Sequence, residues 1–323
     1  MKFQIIKCHG SENDFVMIDE VSNQYDFTEK QRVTVAQSLC NRSSQVGADG
    51  ILYFLKNETG NYMMRMFNPD GSEAIMCGNG IRCIGRLASE VLGKEEMEID
   101  TLGGIQFLKK ETDLAEKIPA FSVRMEQVNI NPNSLPLNTN GSKLISESLP
   151  DLSEKREFTA VSLGNPHLVS FVEKVEIPEL TEVGKKANSN QQLLPKGVNM
   201  NFCQLLNPNS IYVGTFERGA GITNSCGTGM SASTLASCLN NHVPFGEWIN
   251  VYNAGGMVKC KGEQDENGKL KVHLLGNATY VYVGDIEMEE DGEFSISNKV
   301  EFEEENKAYE QFKKDVKGML EEV

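Results

Sequence analysis

The sequence predicts an α+β protein built as two similar lobes with a cleft between them. Three observations carry the prediction. Most of the chain reads as short strand-like runs, only a few segments keep helical spacing, and a set of landmarks recurs about 150 residues further on.

The strand-like runs are β-branched, aromatic or alternating. They cover residues 2–8, 15–19, 51–55 and 62–67, then 121–125, 158–163, 168–172, 211–216, 249–252 and 279–283. Thr28 has the chemistry of an N-cap for a helix reaching Leu39. After Cys77, apolar residues at 81, 84, 87, 88 and 91 keep the spacing of one helix face. The segment after Cys226 is rich in Ala, Ser and Thr, and small residues on every side suit a helix closely surrounded by strands. Residues 129–156 read as a connecting region with loops. Beyond Gly284 the chain turns acidic. Residues 303–323, with Ala308, Phe312, Val316 and Leu320 four apart, read as an amphipathic helix packed on the body or on a partner.

The repeat is clearest around two cysteines. Met76-Cys77-Gly78-Asn79-Gly80 returns as Ser225-Cys226-Gly227-Thr228-Gly229, 149 residues on. Asn13-Asp14-Phe15-Val16 returns as Asn165-Pro166-His167-Leu168-Val169 at an offset of 152, and Gly47-Ala48-Asp49 as Gly197-Val198-Asn199 at 150. Three landmarks in one order argue for duplication. The expected division is a lobe over 1–119 carrying Cys77 and a lobe over 120–276 carrying Cys226. Residues 277–323 are expected to supply a final strand returning to the first lobe, followed by the acidic helical extension.

With 46 acidic against 31 basic residues the net charge is −15, which argues against nucleic acid and anionic membranes as partners. No segment approaches the ~18 apolar residues of a membrane span, and the N-terminus lacks a signal peptide's apolar stretch. The expected setting is a reducing cytoplasm, with the eight cysteines as free thiols. Cys77 and Cys83 are six apart, which is not a zinc-ligand spacing, and no metal is expected. Cys8, Cys40, Cys83, Cys203, Cys238 and Cys260 read as core residues or inert thiols.

If Cys77 and Cys226 each open a helix, unpaired backbone N–H groups and the positive end of the helix dipole surround each thiol. Both favour thiolate, and a thiol pKa of ~8.5 is expected to fall towards ~7. Glycines let a ligand approach the backbone, so a substrate carboxylate can dock on the helix starts. One thiolate then removes an α-proton while the opposite thiol protonates the other face. Asn13, Asn68, Asn165 and Asn199 flank predicted strands at matched points. Glu217 and Arg218 beside the second motif suit an ammonium and a carboxylate, and His167 can hydrogen-bond a thiol or a substrate.

The residues His9–Phe15, 67–82, Gly164-Asn165-Pro166-His167 and 217–229 resemble the diaminopimelate epimerase family, in the right order over roughly residues 1–285. The resemblance implies two lobes, each a β-barrel-like sheet around a central helix. It also implies a pyridoxal-free, metal-free epimerisation of LL- to meso-2,6-diaminopimelate by two cysteines, feeding lysine and peptidoglycan synthesis in bacteria. No cofactor is implied, the partner is a small amino acid, and a homodimer is the candidate assembly. Carried onto this chain, Cys77 and Cys226 are the acid–base pair. Gly78, Asn79, Gly227 and Thr228 would cradle the reacting carboxylate, and Asn13, Asn68, Asn165, Asn199, Glu217 and Arg218 would recognise the distal end. His167 and Glu217 would position or deprotonate the thiols. Two positions depart from the family pattern: Gly50 stands where members often carry Gln, and Ile222 where they carry Glu. Both bear on which amino acid is read, since related two-thiol enzymes act on proline, hydroxyproline or histidine. A thiol–disulfide protein and a silent amino-acid-binding protein are the readings from other classes.

Overall fold

A computed structural model describes residues 1–139 and 141–321. Asn140, within the connecting region, and residues 322–323, at the end of the expected C-terminal helix, lie outside them. The fold is α+β, with five α-helices and long antiparallel and parallel strand pairings.

The chain begins with β1 (Lys2–Gly10) and β2 (Asn13–Asp19), then α1 (Glu29–Leu39), β3 (Gly50–Lys56), β4 (Tyr62–Phe67), β5 (Glu73–Ala74) and α2 (Gly78–Leu92). Thr28 caps α1 with a complete capping box, its hydroxyl accepting from the Gln31 amide and the Gln31 side chain accepting from the Thr28 amide. β1 pairs antiparallel with β2, β2 parallel with β3, and β3 antiparallel with β4. The strands alternate faces. Ile51 and Tyr53 join Val35, Ala36 and Leu39 of α1 in one apolar cluster, whereas Leu52 between them lies against Gly80 of α2. The two helices therefore cover opposite faces of β3. β6 (Glu96–Ile99), β7 (Gln106–Ala115) and β8 (Ile118–Met125) follow side by side.

After β9 (Glu147–Ser148) the same order returns: β10 (Glu157–Ser162), β11 (Pro166–Val172), α3 (Ile177–Ser189), β12 (Asn199–Asn207), β13 (Ser210–Glu217), β14 (Gly221–Thr223) and α4 (Gly227–Leu239). The pairings repeat as well, antiparallel, parallel, antiparallel, antiparallel. Among the described helices, α3 is the one that sequence patterning did not find. It has no side-chain cap, and its start is marked only by Pro178 in the first turn. It is the counterpart of α1 in the second copy. Within the connecting region, residues 132–134 form a 3-10 turn, and Leu135, Leu137, Leu144, Leu149 and Leu152 are buried in the core that α3 covers. The region lacks long regular elements yet supplies core. β15 (Ile249–Asn253), β16 (Gly256–Gln264) and β17 (Leu270–Asn277) complete this part.

β18 (Thr279–Met288) and β19 (Phe294–Glu301) then add to β1, giving an open seven-stranded sheet in the order β19-β18-β1-β2-β3-β4-β5. The chain ends in α5 (Glu303–Glu321). Two compact units result: residues 1–123 with 275–315, and residues 124–274 with 316–323. In the first, α2 packs against β1, β2, β3, β4, β6 and β7. In the second, α4 packs against β10, β11, β12, β13, β15 and β16. Both are central helices lined by strands, as expected. Ser231, Ala232, Ser233, Ala236 and Ser237 of α4 are all buried, which is the use made of its small residues. No helix among the described residues is long and apolar enough to cross a membrane.

The first part of α5 is held by a buried ion pair. Arg86 of α2 grips Glu305 through two nitrogens, donates to the Ala278 carbonyl and lies 3.6 Å from the Tyr280 ring centroid. The Tyr280 amide donates to the same carboxylate. Replacing Glu305 by Ala leaves the guanidinium buried without its partner and is expected to cost about 3 kcal/mol. Urea unfolding measures this, and an unchanged midpoint would contradict it.

Candidate active site

The two repeated cysteines occupy the same structural position. Cys77 is the N-cap of α2 and Cys226 the N-cap of α4, both in extended backbone conformation. Each Sγ accepts the amide hydrogen of the third helical residue, from Gly80 at 3.5 Å and from Gly229 at 3.3 Å. The thiol thus does the work that a Ser or Asp oxygen does at an ordinary helix start. The amides of Gly78, Asn79, Gly227 and Thr228 precede the first intrahelical bonds, made by Ile81 and Met230. Such groups are the usual dock for an anion. A Cβ on Gly78 would meet nothing within 4 Å, so the backbone there is open to a ligand.

In the first unit, Asn13 Nδ2 donates to Asp49 at 2.7 Å. That bond leaves Asn13 Oδ1 to accept from the Cys77 thiol at 3.7 Å and from Asn79 Nδ2 at 3.3 Å. Arg82, 1% exposed, braces the helix start by donating to the Gly78 carbonyl, the Asn79 side chain, Ser11 and the Asn277 carbonyl. In the second unit, Thr228 Oγ1 lies 3.6 Å from Cys226 Sγ and accepts from Asn165 Nδ2 at 3.1 Å. Asn165 Oδ1 meets His167 Nε2 at 3.2 Å. Glu217 accepts from Thr223 at 2.6 Å, and its carboxylate acts on the Cys226 thiol.

The expectation of depressed thiol pKa values is overturned. Burial pushes Cys226 up to about 11, and the Glu217 carboxylate adds to the rise against the opposing pull of Thr228 and the Gly229 amide. Cys77 is also raised, by burial, with the Gly80 and Asn79 amides and Arg82 working against it. Helix-start stabilisation is present at both sites and is outweighed by desolvation. Burial likewise lowers His167 to about 3, so its imidazole is neutral.

The structure groups Cys77, Gly78, Asn79 and Asn13 in one unit, and Cys226, Gly227, Thr228, Asn165, His167 and Glu217 in the other. Asn68 stands apart within its turn, donating to Ser72 Oγ. Asn199 and Arg218 are joined to each other, Asn199 Oδ1 accepting the Arg218 amide at 2.8 Å, while the exposed Arg218 guanidinium donates to the Lys196 carbonyl. Gly50 leaves no room for a side chain, since a Cβ would lie 3.0 Å from both Met66 Cε and the Phe67 carbonyl oxygen. Ile222 is 38% exposed on β14. Sequence reading missed Asp49, Arg82, Thr215 and Asn201 as supports. Asp49 sits inside a repeated triplet and was within reach, whereas Asn201 and Thr215 carry no local motif. The other six cysteines are buried. Among the described residues, no group of three His, Cys, Asp or Glu is placed to hold a metal ion.

Solved structures share this fold. A PhzF-family phenazine biosynthesis protein of Bacillus anthracis superposes with a TM-score of 0.61 at 16% identity, over 89% of this chain and all of that one. A hydroxyproline epimerase of Agrobacterium vitis, solved with bound trans-4-hydroxy-L-proline, gives 0.54 at 12% identity, over 88% and 90%. The fold of this chain is thus the one shared by these two proteins. A family model described as diaminopimelate epimerase matches residues 5–128 and 159–281. The diaminopimelate epimerase of Clostridium acetobutylicum is 42% identical over 97% of this chain and 94% of its own length, and that of Listeria innocua 39% over 97% of both. The chain belongs to the diaminopimelate epimerase family.

Two outcomes follow from the geometry. Because the thiolate is the nucleophile and burial pushes the Cys226 thiol up to about 11, its alkylation by iodoacetamide in the free protein is expected to rise about tenfold per pH unit from pH 7 to 10. A plateau by pH 8 would contradict the assignment. A Cβ on Gly229 would fall 2.6 Å from Asn201 Oδ1 and 2.7 Å from Thr215 Oγ1. Gly229→Ala is therefore expected to destabilise the fold by about 1–3 kcal/mol in urea unfolding.

Proposed function

We propose that this chain interconverts LL- and meso-2,6-diaminopimelate by two-base proton transfer at one α-carbon. One observation carries the reading: a thiol caps the central helix of each copy of a duplicated unit, at the same residue of the same motif. An epimerase needs one proton donor and one acceptor on opposite faces of the reacting carbon, and a duplicated chain supplies one thiol per copy. Membership of the diaminopimelate epimerase family supports the substrate.

The roles divide as follows. The reacting carboxylate docks on the amides of Gly78, Asn79, Gly227 and Thr228, where helix-start donors also stabilise the negative charge that develops on proton removal. Both thiols keep their protons at rest. Glu217 is the group beside Cys226 able to take its proton, and the Thr228 hydroxyl and Gly229 amide then stabilise the thiolate. Asn13 accepts from the Cys77 thiol and holds it as the proton donor. His167, neutral and engaged at both ring nitrogens, positions rather than titrates. Arg218, Glu217, Asn68 and Asn199, with Asn13 and Asn165, read the distal amino-acid end. The lobes carrying Cys77 and Cys226 work with a small-molecule substrate in a reducing cytoplasm, which eight free cysteines suit. A homodimer is the assembly to test by sedimentation.

The test uses reduced protein, LL-diaminopimelate and no added cofactor, followed by proton NMR. Formation of the meso isomer is expected. Cys77→Ala and Cys226→Ala are each expected to lower turnover by at least about a thousandfold, a two-base step losing one of its two acid–base groups, with circular dichroism unchanged. Full turnover by either variant would end the two-thiol mechanism. Turnover of proline, hydroxyproline or histidine in place of diaminopimelate would move the substrate assignment to a related racemase, a change that the closed Gly50 site and apolar Ile222 would then explain.

A further inference from the structure

The two copies are alike except under the helix that carries the thiol. In the first copy β2 pairs with β3 with Phe15 opposite Gly50 and Met17 opposite Leu52. In the second, β11 pairs with β12 with His167 opposite Asn199 and Val169 opposite Asn201. His167 therefore stands where the first copy has Phe15, and Asn201 where it has Leu52. All four are fully buried. Leu52 lies against Gly80, and Asn201 lies against Gly229, so both fill the slot beneath the third residue of the helix that each cysteine caps. An apolar pair in one copy has become a polar pair in the other. Buried polar groups are costly unless fully partnered, and these are partnered in one direction.

The direction is set by backbone. Asn201 Nδ2 faces two carbonyl oxygens, Leu168 O at 3.1 Å and Asn199 O at 3.2 Å, which accept only. Its Oδ1 accepts from the Thr215 hydroxyl at 2.9 Å. The amide nitrogen thus faces His167 Nδ1 at 3.1 Å; its two hydrogens are shared among three acceptors, and a hydrogen on Nδ1 would meet another donor, so Nδ1 is the accepting nitrogen. The imidazole proton then sits on Nε2 and donates to Asn165 Oδ1. That bond turns Asn165 Nδ2 towards Thr228 Oγ1, which accepts. The Thr228 hydroxyl, accepting from Asn165, keeps its one hydrogen free to donate to Cys226 Sγ 3.6 Å away.

We propose that Asn201 is a positioning residue for the reaction, fixing the His167 tautomer and thereby orienting Asn165 and Thr228 so that a hydroxyl donor is aimed at the Cys226 sulfur. The first copy has no such chain: Asp49 orients Asn13 so that a carbonyl acceptor faces Cys77. The two thiols consequently differ in their side-chain partners: an amide oxygen accepts from Cys77, whereas a hydroxyl stands beside Cys226. This inference rests on the two-thiol reading for its catalytic consequence, but its physical content does not depend on the substrate.

The experiment is nitrogen NMR of protein labelled with 15N-histidine, with the His167 signals assigned by their loss in His167→Gln. In the wild-type protein Nε2 is expected to be the protonated, pyrrole-type nitrogen and Nδ1 the pyridine-type one from pH 5 to 9. A proton on Nδ1, or averaging between the two, would overturn the proposal whether or not the protein epimerises diaminopimelate. In Asn201→Asp the carboxylate accepts instead of donating, so the His167 proton should move to Nδ1. Asn165 should reverse its amide and draw the Thr228 hydroxyl away from sulfur. Alkylation of Cys226 at fixed pH is then expected to slow about fivefold, and kcat to fall about tenfold or more with KM little changed, the loss of one charge-assisted donor. A tautomer switch with alkylation unchanged would also overturn it. If Asn201→Asp does not fold, the wild-type tautomer decides. If the tautomer and alkylation results hold but diaminopimelate is not turned over, the epimerase reading fails and the orienting chain stands.

Discussion

Everything at this site depends on a cysteine serving as the N-cap of a buried helix. The cap bond from the third helical amide holds the Sγ at the helix start. The third helical residue is glycine in both copies, because the strand beneath approaches within Cβ distance there, through Leu52 and Asn201. Sulfur, anion dock and close strand packing are therefore one constraint rather than three. The surrounding strands and the second helix on the opposite face of β3 and of β12 serve to hold that helix start still.

The same burial that fixes the thiols also works against their ionisation. A helix terminus contributes about half a unit charge, which does not offset removal of the thiol from water at either position. The protein thus keeps two unreactive thiols until a proton acceptor acts locally. In the proposed mechanism Glu217 is that acceptor for Cys226, and the Gly229 amide already donating to that sulfur stabilises the resulting anion. Around Cys77 the neighbouring side chain is an acceptor, which favours the protonated form. Duplication supplied equivalent sites, and divergence of a few buried side chains made them electrostatically unequal, which a two-base step requires.

Much of this was legible in the sequence because it was written twice. Cysteine, glycine and asparagine landmarks at nearly constant offset gave the division into copies and the two helix starts, and Thr28 gave α1 its boundary. Helix α3 escaped because its start lacks a capping side chain. Strand β19 escaped because its alternation is masked by exposed charge at an edge. The thiol pKa direction was misjudged for a physical reason: sequence shows that a helix begins at Cys77 and at Cys226 but not how deeply each start is buried. Asn201 was hidden for another. Its meaning lies in the strand register that sets it against Leu52, and a register appears only when the strands are paired.

The most direct measurement is the fate of deuterium at the earliest turnovers. LL-diaminopimelate is converted in D2O, and both the meso product and the recovered LL substrate are analysed by mass and proton NMR below a tenth of conversion. One thiol removing the proton and the opposite one delivering solvent-derived deuterium predicts label in the product and almost none in the recovered substrate. Equal labelling of both isomers from the start would mean a single base serving both faces, and would contradict the account.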